Sequence, residues 1–61
     1  MAKTSEGRII KVGDWVGFKA DHEEYGQVKN ISGHSVTVAV SDEHGGTENR
    51  YTYADRIWHE D

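Results

Sequence analysis

The chain has 61 residues, no cysteine and no proline, and its seven basic and eleven acidic side chains give a formal net charge of −4 at neutral pH. A length of this order holds one domain, close to the lower limit of what folds without metal or crosslinks. The lack of cysteine excludes a disulfide framework and a thiolate zinc site and fits a reducing cytosol, no apolar run is long enough for a membrane span or a signal-peptide core, and the acidic balance is the reverse of the basic excess with which proteins release counterions from nucleic-acid phosphates.

The charge is unevenly spread: residues 1–20 carry four basic and two acidic groups, residues 21–61 three basic and nine acidic. Residues 1–7, MAKTSEG, have almost no apolar content, which predicts a flexible leader ahead of a single domain over 8–61. Ile9, Ile10, Val12, Trp15, Val16 and Phe18 make two short β-prone runs broken at Gly13-Asp14. A first strand is expected from Asp14 to Lys19, with Val16 and Phe18 on one face and Trp15 and Gly17 on the other. A polar loop, ADHEEYG, leads to a second strand, QVKNIS, in which Val28 and Ile31 stand three apart rather than two, a spacing that predicts a bulge or strong bend.

Gly33-His34 reads as a tight hairpin turn between Ser32 and Ser35. Val36, Val38 and Val40 then alternate with Ser35, Thr37, Ala39 and Ser41, the period-2 pattern of a strand with one buried face. A second polar loop, DEHGGTEN, in which Gly45-Gly46 supplies positive-φ capacity, precedes a fourth strand, RYTY, with Tyr51 and Tyr53 on one side. ADR reads as one helical turn, and IWHED as a closing strand in which Ile57 and Trp58 face opposite ways. This order predicts an all-β fold, a five-stranded SH3-like small barrel with a short helical turn before the last strand, whose closure would leave no exposed edges.

The run VGDWVGFKADHEEYGQVKNISGHSVTVAV resembles KOW and Tudor-type barrels: Gly-Asp before a strand, a loop, Gly-x-Val-x-x-Ile, a turn, then alternating valines. The resemblance implies the barrel fold and partners among nucleic acids, ribosomal or transcription machinery, or methylated side chains. In the first loop this chain departs from the glycine and basic residues of KOW sequences, carrying Asp21, His22, Glu23 and Glu24 instead. Over most of residues 13–58, the phrases GDWVGFK, EYGQV, HGG and RYTYADRIW are similar to short proteins of tailed bacteriophages. That similarity implies a phage origin and the host cytoplasm, and it brings no biochemistry with it.

Asp21, His22, Glu23 and Glu24 offer ligands to a hard cation, but consecutive residues rarely converge on one ion and the EF-hand spacing is missing; a solvated acidic loop, or contact with a partner, is expected instead. His22, His34, His44 and His59 lie in loops, a turn and the tail without metal-ligand spacing. Ser5, Ser32, Ser35 and Ser41 lack a nucleophile elbow, so neither an enzyme nor a cofactor is expected. Gly45-Gly46 lacks the lysine and following helix of a phosphate loop.

The aromatic residues Trp15, Tyr25, Tyr51, Tyr53 and Trp58 leave two readings open. Either they cap the ends of a small barrel, or Tyr25 faces Tyr51 or Tyr53 across its rim and, with Asp21, Glu23 or Glu24 alongside, holds a cationic side chain. The expectation is a noncatalytic binding module, a phage-encoded accessory factor docking on a host or viral protein with a basic segment through Trp15, Asp21, Glu23, Glu24, Tyr25, Tyr51 and Tyr53. The alternatives are a nucleic-acid module using Lys11, Lys19, Lys29 and Arg50, and self-association through a strand edge.

Overall fold

Alternating β-branched residues decide the architecture. The strands are β1 (Trp15–Lys19), β2 (Glu23–Ser32), β3 (Ser35–Ser41), β4 (Thr47–Tyr53) and β5 (Ile57–His59), all antiparallel in one sheet of order β4-β3-β2-β1-β5. The computed structural model describes residues 2–60, whose one helical element is the 3-10 turn Ala54–Arg56. The period of two puts Val36, Val38 and Val40 on one face, where the register sets them against Ile31, Val28 and Gly26 of β2. Val16, Phe18 and Ile57 complete that face from β1 and β5, and Ile10, Ala54 and Ala2 close over it to form the core.

β2 is the long strand because it serves both halves of the sheet. Glu23 to Gln27 pair with β1, and Gly26 to Ser32 pair with β3. The Val28/Ile31 spacing is resolved by a register shift between Val28 and Asn30, so Lys29 is the inserted residue and Ile31 returns to the core side opposite Val36. At Gly26 the Ala39 carbonyl lies where a Cβ would have to be, so the close approach of β3 is open to glycine alone. The hairpin turn falls at Gly33-His34 as expected, with Gly33 at φ +60.

Three features differ from the expectation. β2 begins at Glu23 rather than at Gln27, which cuts the first polar loop to Ala20, Asp21 and His22. Ladder bonds use backbone groups, so Glu23 and Glu24 pair with Lys19 and Phe18 whatever their side chains. β4 likewise starts at Thr47, ahead of RYTY. Residues 2–7, expected as a leader outside the domain, turn back on themselves: Ile10 N–H donates to the Ala2 carbonyl at 3.0 Å, Thr4 N–H to the Arg8 carbonyl at 2.8 Å, and Ala2 and Thr4 are buried. One alanine and one threonine give the segment no apolar pattern that sequence would register, yet both side chains are small enough to be covered. Met1 of that leader and Asp61 of the domain lie outside the described residues.

The ladder is open rather than closed. β4 and β5 are its two edges, and the chain passes from one to the other through Ala54–Arg56, where buried Ala54 donates its N–H to the His34 carbonyl at 2.9 Å.

Gly26→Ala is expected to cost at least ~2 kcal/mol by forcing β2 and β3 apart, a large part of the ~3–9 kcal/mol that a chain of this length has in all. Gly33→Ala meets open space and only a strained φ, and should cost ~1 kcal/mol. Urea unfolding followed by tryptophan fluorescence ranks the two, and equal midpoints would refute the close-approach argument.

Candidate functional site

The face of the sheet turned away from the core carries the exposed rings. Gly17 of β1 is level with Tyr25 of β2 on one side and Trp58 of β5 on the other. The Trp58 indole lies over Gly17, where a Cβ would come within 2.6 Å of Nε1. Tyr25 meets Trp58 edge to face, ring centroids 6.4 Å apart and planes at 79°. Each polar tip is held by a carboxylate: Tyr25 Oη donates to Glu23 Oε1 at 2.7 Å and Trp58 Nε1 to Glu60 Oε2 at 2.8 Å. The hydrogen bond to Glu23 pushes the Tyr25 phenol above its ordinary pKa, helped by lost solvation and by the charges of Glu23 and Glu60. Trp15, two residues before Gly17 on the same face, is 53% exposed, and its carbonyl accepts the Glu60 N–H at 3.1 Å. The outer face here therefore carries Trp15 and Tyr25 beside a Trp58 indole that covers Gly17, with two carboxylates at the margin.

The residues expected to act together are divided by the sheet. Glu23 faces outward beside Tyr25, whereas Glu24, one step along the strand, faces the core side with only 10% of its side chain exposed. Asp21 stays in the turn, exposed. Tyr51 and Tyr53 share the outer face with Tyr25 but sit on β4, level with Thr37 and Ser35 of β3, while Tyr25 is level with the far end of β3 at Ser41. Two strand spacings of ~4.8 Å and four steps of ~3.3 Å separate Tyr25 from Tyr51, so the expected Tyr25–Tyr51 cage does not form. Tyr53 stacks on His34 instead, at 5.8 Å and 20°. Trp58 and Glu60 take the place assigned to the β4 tyrosines. The opposite facing of Ile57 and Trp58 was readable in the sequence, but the pairing of β5 with β1 is long-range and left no local mark.

The basic residues form no strip. Lys19 ends β1 level with Glu23, Lys29 lies six residues further along β2, roughly 20 Å away at strand rise, and its Nζ donates to Gln27 Oε1 at 3.2 Å. Lys11 precedes β1, its N–H donating to Asp14 Oδ2 at 2.9 Å. Arg50 is level with Val38 on the core side, 3.5 Å from Glu24 Oε1 and 3.3 Å from Glu48 Oε1. The Gly45-Gly46 loop holds a carboxylate of its own: Asp42 Oδ1 accepts the N–H groups of His44 at 2.8 Å and Gly46 at 2.9 Å. Among the described residues no three His, Asp or Glu side chains converge as a metal site, and no helix is long and apolar enough to cross a membrane. No family model, curated protein or solved structure matches the chain.

His59, read from the sequence as part of the tail, is the third residue of β5 and turns to the core side level with Val16, its side chain 8% exposed. Its Nε2 is 2.9 Å from Asp14 Oδ2. The Lys11 N–H first, and His59 second, hold the Asp14 carboxyl below its ordinary value of 3.8. A carboxyl whose folded pKa is depressed adds stability above its unfolded pKa and loses it as pH falls through the folded one. Asp14→Asn should therefore lower stability by ~1–2 kcal/mol at pH 7, and the gap from the parent chain should narrow once pH drops below ~3.8. Urea midpoints measured from neutral to acid pH test this; a gap that stays constant would show that the Asp14 charge does not contribute.

Proposed function

We propose that this chain is a noncatalytic binding module of the SH3-like barrel type, which docks on a basic segment of a protein partner through Trp15, Tyr25 and Trp58. The observation that carries the docking reading is the Tyr25–Trp58 pair on the outer face of the sheet, Tyr25 exposed and Trp58 half-buried, with both polar tips occupied by carboxylates. Rings fixed in this way lose little freedom on binding, and their π faces attract an ammonium or guanidinium group with ~0.5–2 kcal/mol each. Glu23 and Glu60 set the sign, favouring a cation and opposing phosphate. The SH3-like reading is supported by the strand order and by the 3-10 turn between β4 and β5. The role of a phage-encoded accessory factor in the host cytoplasm rests on the sequence resemblance.

Two observations bear on the alternatives. The scatter of Lys11, Lys19 and Lys29, with Arg50 engaged by Glu24 and Glu48, disfavours a nucleic-acid track. Self-association has one feature in its favour, the regular seven-residue edge of β4.

A lysine- and arginine-rich peptide titrated at near-physiological salt should change the Trp15 and Trp58 fluorescence saturably. Tyr25→Ala combined with Glu23→Lys should weaken it at least ~10-fold with an unchanged circular dichroism spectrum. Binding of single-stranded nucleic acid that falls steeply with salt and ignores this double substitution would move the assignment to the nucleic-acid reading. A sedimentation mass above one chain at high concentration would favour the β4 edge.

A further inference from the structure

We infer that β4 is a docking edge for a second copy of this chain, the two strands running antiparallel about a two-fold axis at Asn49 and joining two open sheets into one. The backbone bonds of β4 set the parity. β3 and β4 keep one register from Ser35↔Tyr53 to Ser41↔Thr47. At either end it continues in the bonds from Ala54 N–H to the His34 carbonyl at 2.9 Å and from Asp42 N–H to the Gly46 carbonyl at 3.0 Å. Hydrogen-bonded pairs alternate along an antiparallel ladder. Glu48, Arg50 and Thr52 therefore turn their N–H and C=O groups to β3. Thr47, Asn49, Tyr51 and Tyr53 turn theirs to the free edge, where no ladder partner exists among the described residues.

Sheets commonly blunt such an edge with proline, a bulge, shortness or a cover. β4 has none of these: the chain lacks proline, the register with β3 is unbroken over seven residues, and Thr47 to Tyr51 are all exposed. The other edge, β5, is only three residues long. What β4 carries instead is one charge of each sign, Glu48 and Arg50, on the same face.

Those charges select the register. The free groups of two copies meet only when the two-fold axis passes through a residue, because an axis between residues sets each free group against one already bonded to β3. An axis at Glu48 or at Arg50 sets that charge against itself, which is unfavourable. An axis at Tyr51 brings two rings together and leaves both charges without an opposite. An axis at Asn49 places Glu48 of each copy opposite Arg50 of the other and Thr47 opposite Tyr51, and each opposite-charge or aromatic–β-branched pair contributes ~0.2–1 kcal/mol. Arg50 meets its own Glu48 at 3.3 Å and Glu24 at 3.5 Å, contacts long enough to be shared with an incoming carboxylate. Tyr51, 77% exposed, gains a neighbour. Trp15, Tyr25 and Trp58 stand on β1, β2 and β5, so the dimer leaves that patch open and does not rest on it.

Sedimentation equilibrium and amide hydrogen exchange of the full chain over a range of concentrations test the edge. The mass is expected to rise from one chain toward two with a dissociation constant of order ~0.1 mM. Exchange at Thr47, Asn49 and Tyr51 should slow with it by at least ~3-fold, while Tyr53, past the paired stretch, keeps its rate. Glu48→Lys and Arg50→Glu should each be monomeric alone and dimerise when mixed, because each supplies the charge that the other lost. A mixture that stays monomeric, a dimer whose β4 amides do not slow, or slowing at Tyr53 in place of Thr47 would overturn the assignment. A mass of one chain throughout would leave the edge to a strand of another protein and overturn the dimer. Should Arg50→Glu not fold beside Glu24, Asn49→Pro replaces the pair: it removes a donor from the free edge and none from the ladder with β3, and a dimer of unchanged affinity there would overturn the edge as well.

Discussion

The approach of the Ala39 carbonyl to Gly26 is the constraint on which the rest of the molecule depends. Gly26 is level with Val16 on one side and Val40 on the other, so it is where the two halves of the sheet become one. With that contact in place, Val16, Val28 and Val38 pack into a single core rather than two hairpins too small to bury anything alone. The same register fixes Tyr25 beside Gly17 and Glu24 beside Phe18, so the aromatic patch and the burial of Glu24 are both set by the residue that follows them.

Much of this was legible in the sequence where side-chain alternation and backbone need coincide. The valines of β3, the turn at Gly33-His34, the single turn at Ala54–Arg56 and the inserted residue implied by Val28 and Ile31 are local signals, and each lies where it was read. The first half of β2 was not legible, because hydrogen bonding to β1 extends the strand through Glu23 and Glu24 against their low β-propensity. Residues 2–7 were missed for a related reason: a turn held by backbone bonds to Arg8 and Ile10 needs no hydrophobic pattern to announce it. Closure of the ladder was expected from strand order, but order does not fix whether the two edge strands bond, and here they remain separate edges.

The candidate site was legible in composition and not in partnership. Trp15 was readable on the face opposite Val16 and Phe18, and Glu23 as a source of negative charge, whereas Tyr25 reads as the end of a loop, open to capping the barrel or to facing its rim. That Trp58 rather than Tyr51 completes the group depends on β5 crossing to β1, some 40 residues away along the chain. Arg50 lies by strand parity on the core side with Glu48, and only the tertiary fold brings Glu24 to meet it.

The separation of Glu23 from Glu24 has a consequence for electrostatics. In a solvated loop the two charges would act as one patch, each screened by the same water and each able to serve the same ligand. Alternation along β2 places a protein layer between them instead. Glu23 is exposed and spends its charge orienting a phenol, where water screens most of its reach. Glu24 is buried, keeps an oxygen without a donor and feels Arg50 through less water, so a charge of the same sign acts more strongly there. Two neighbouring glutamates therefore differ in environment more than many residues far apart in the chain, and a partner that reads one of them need not sense the other.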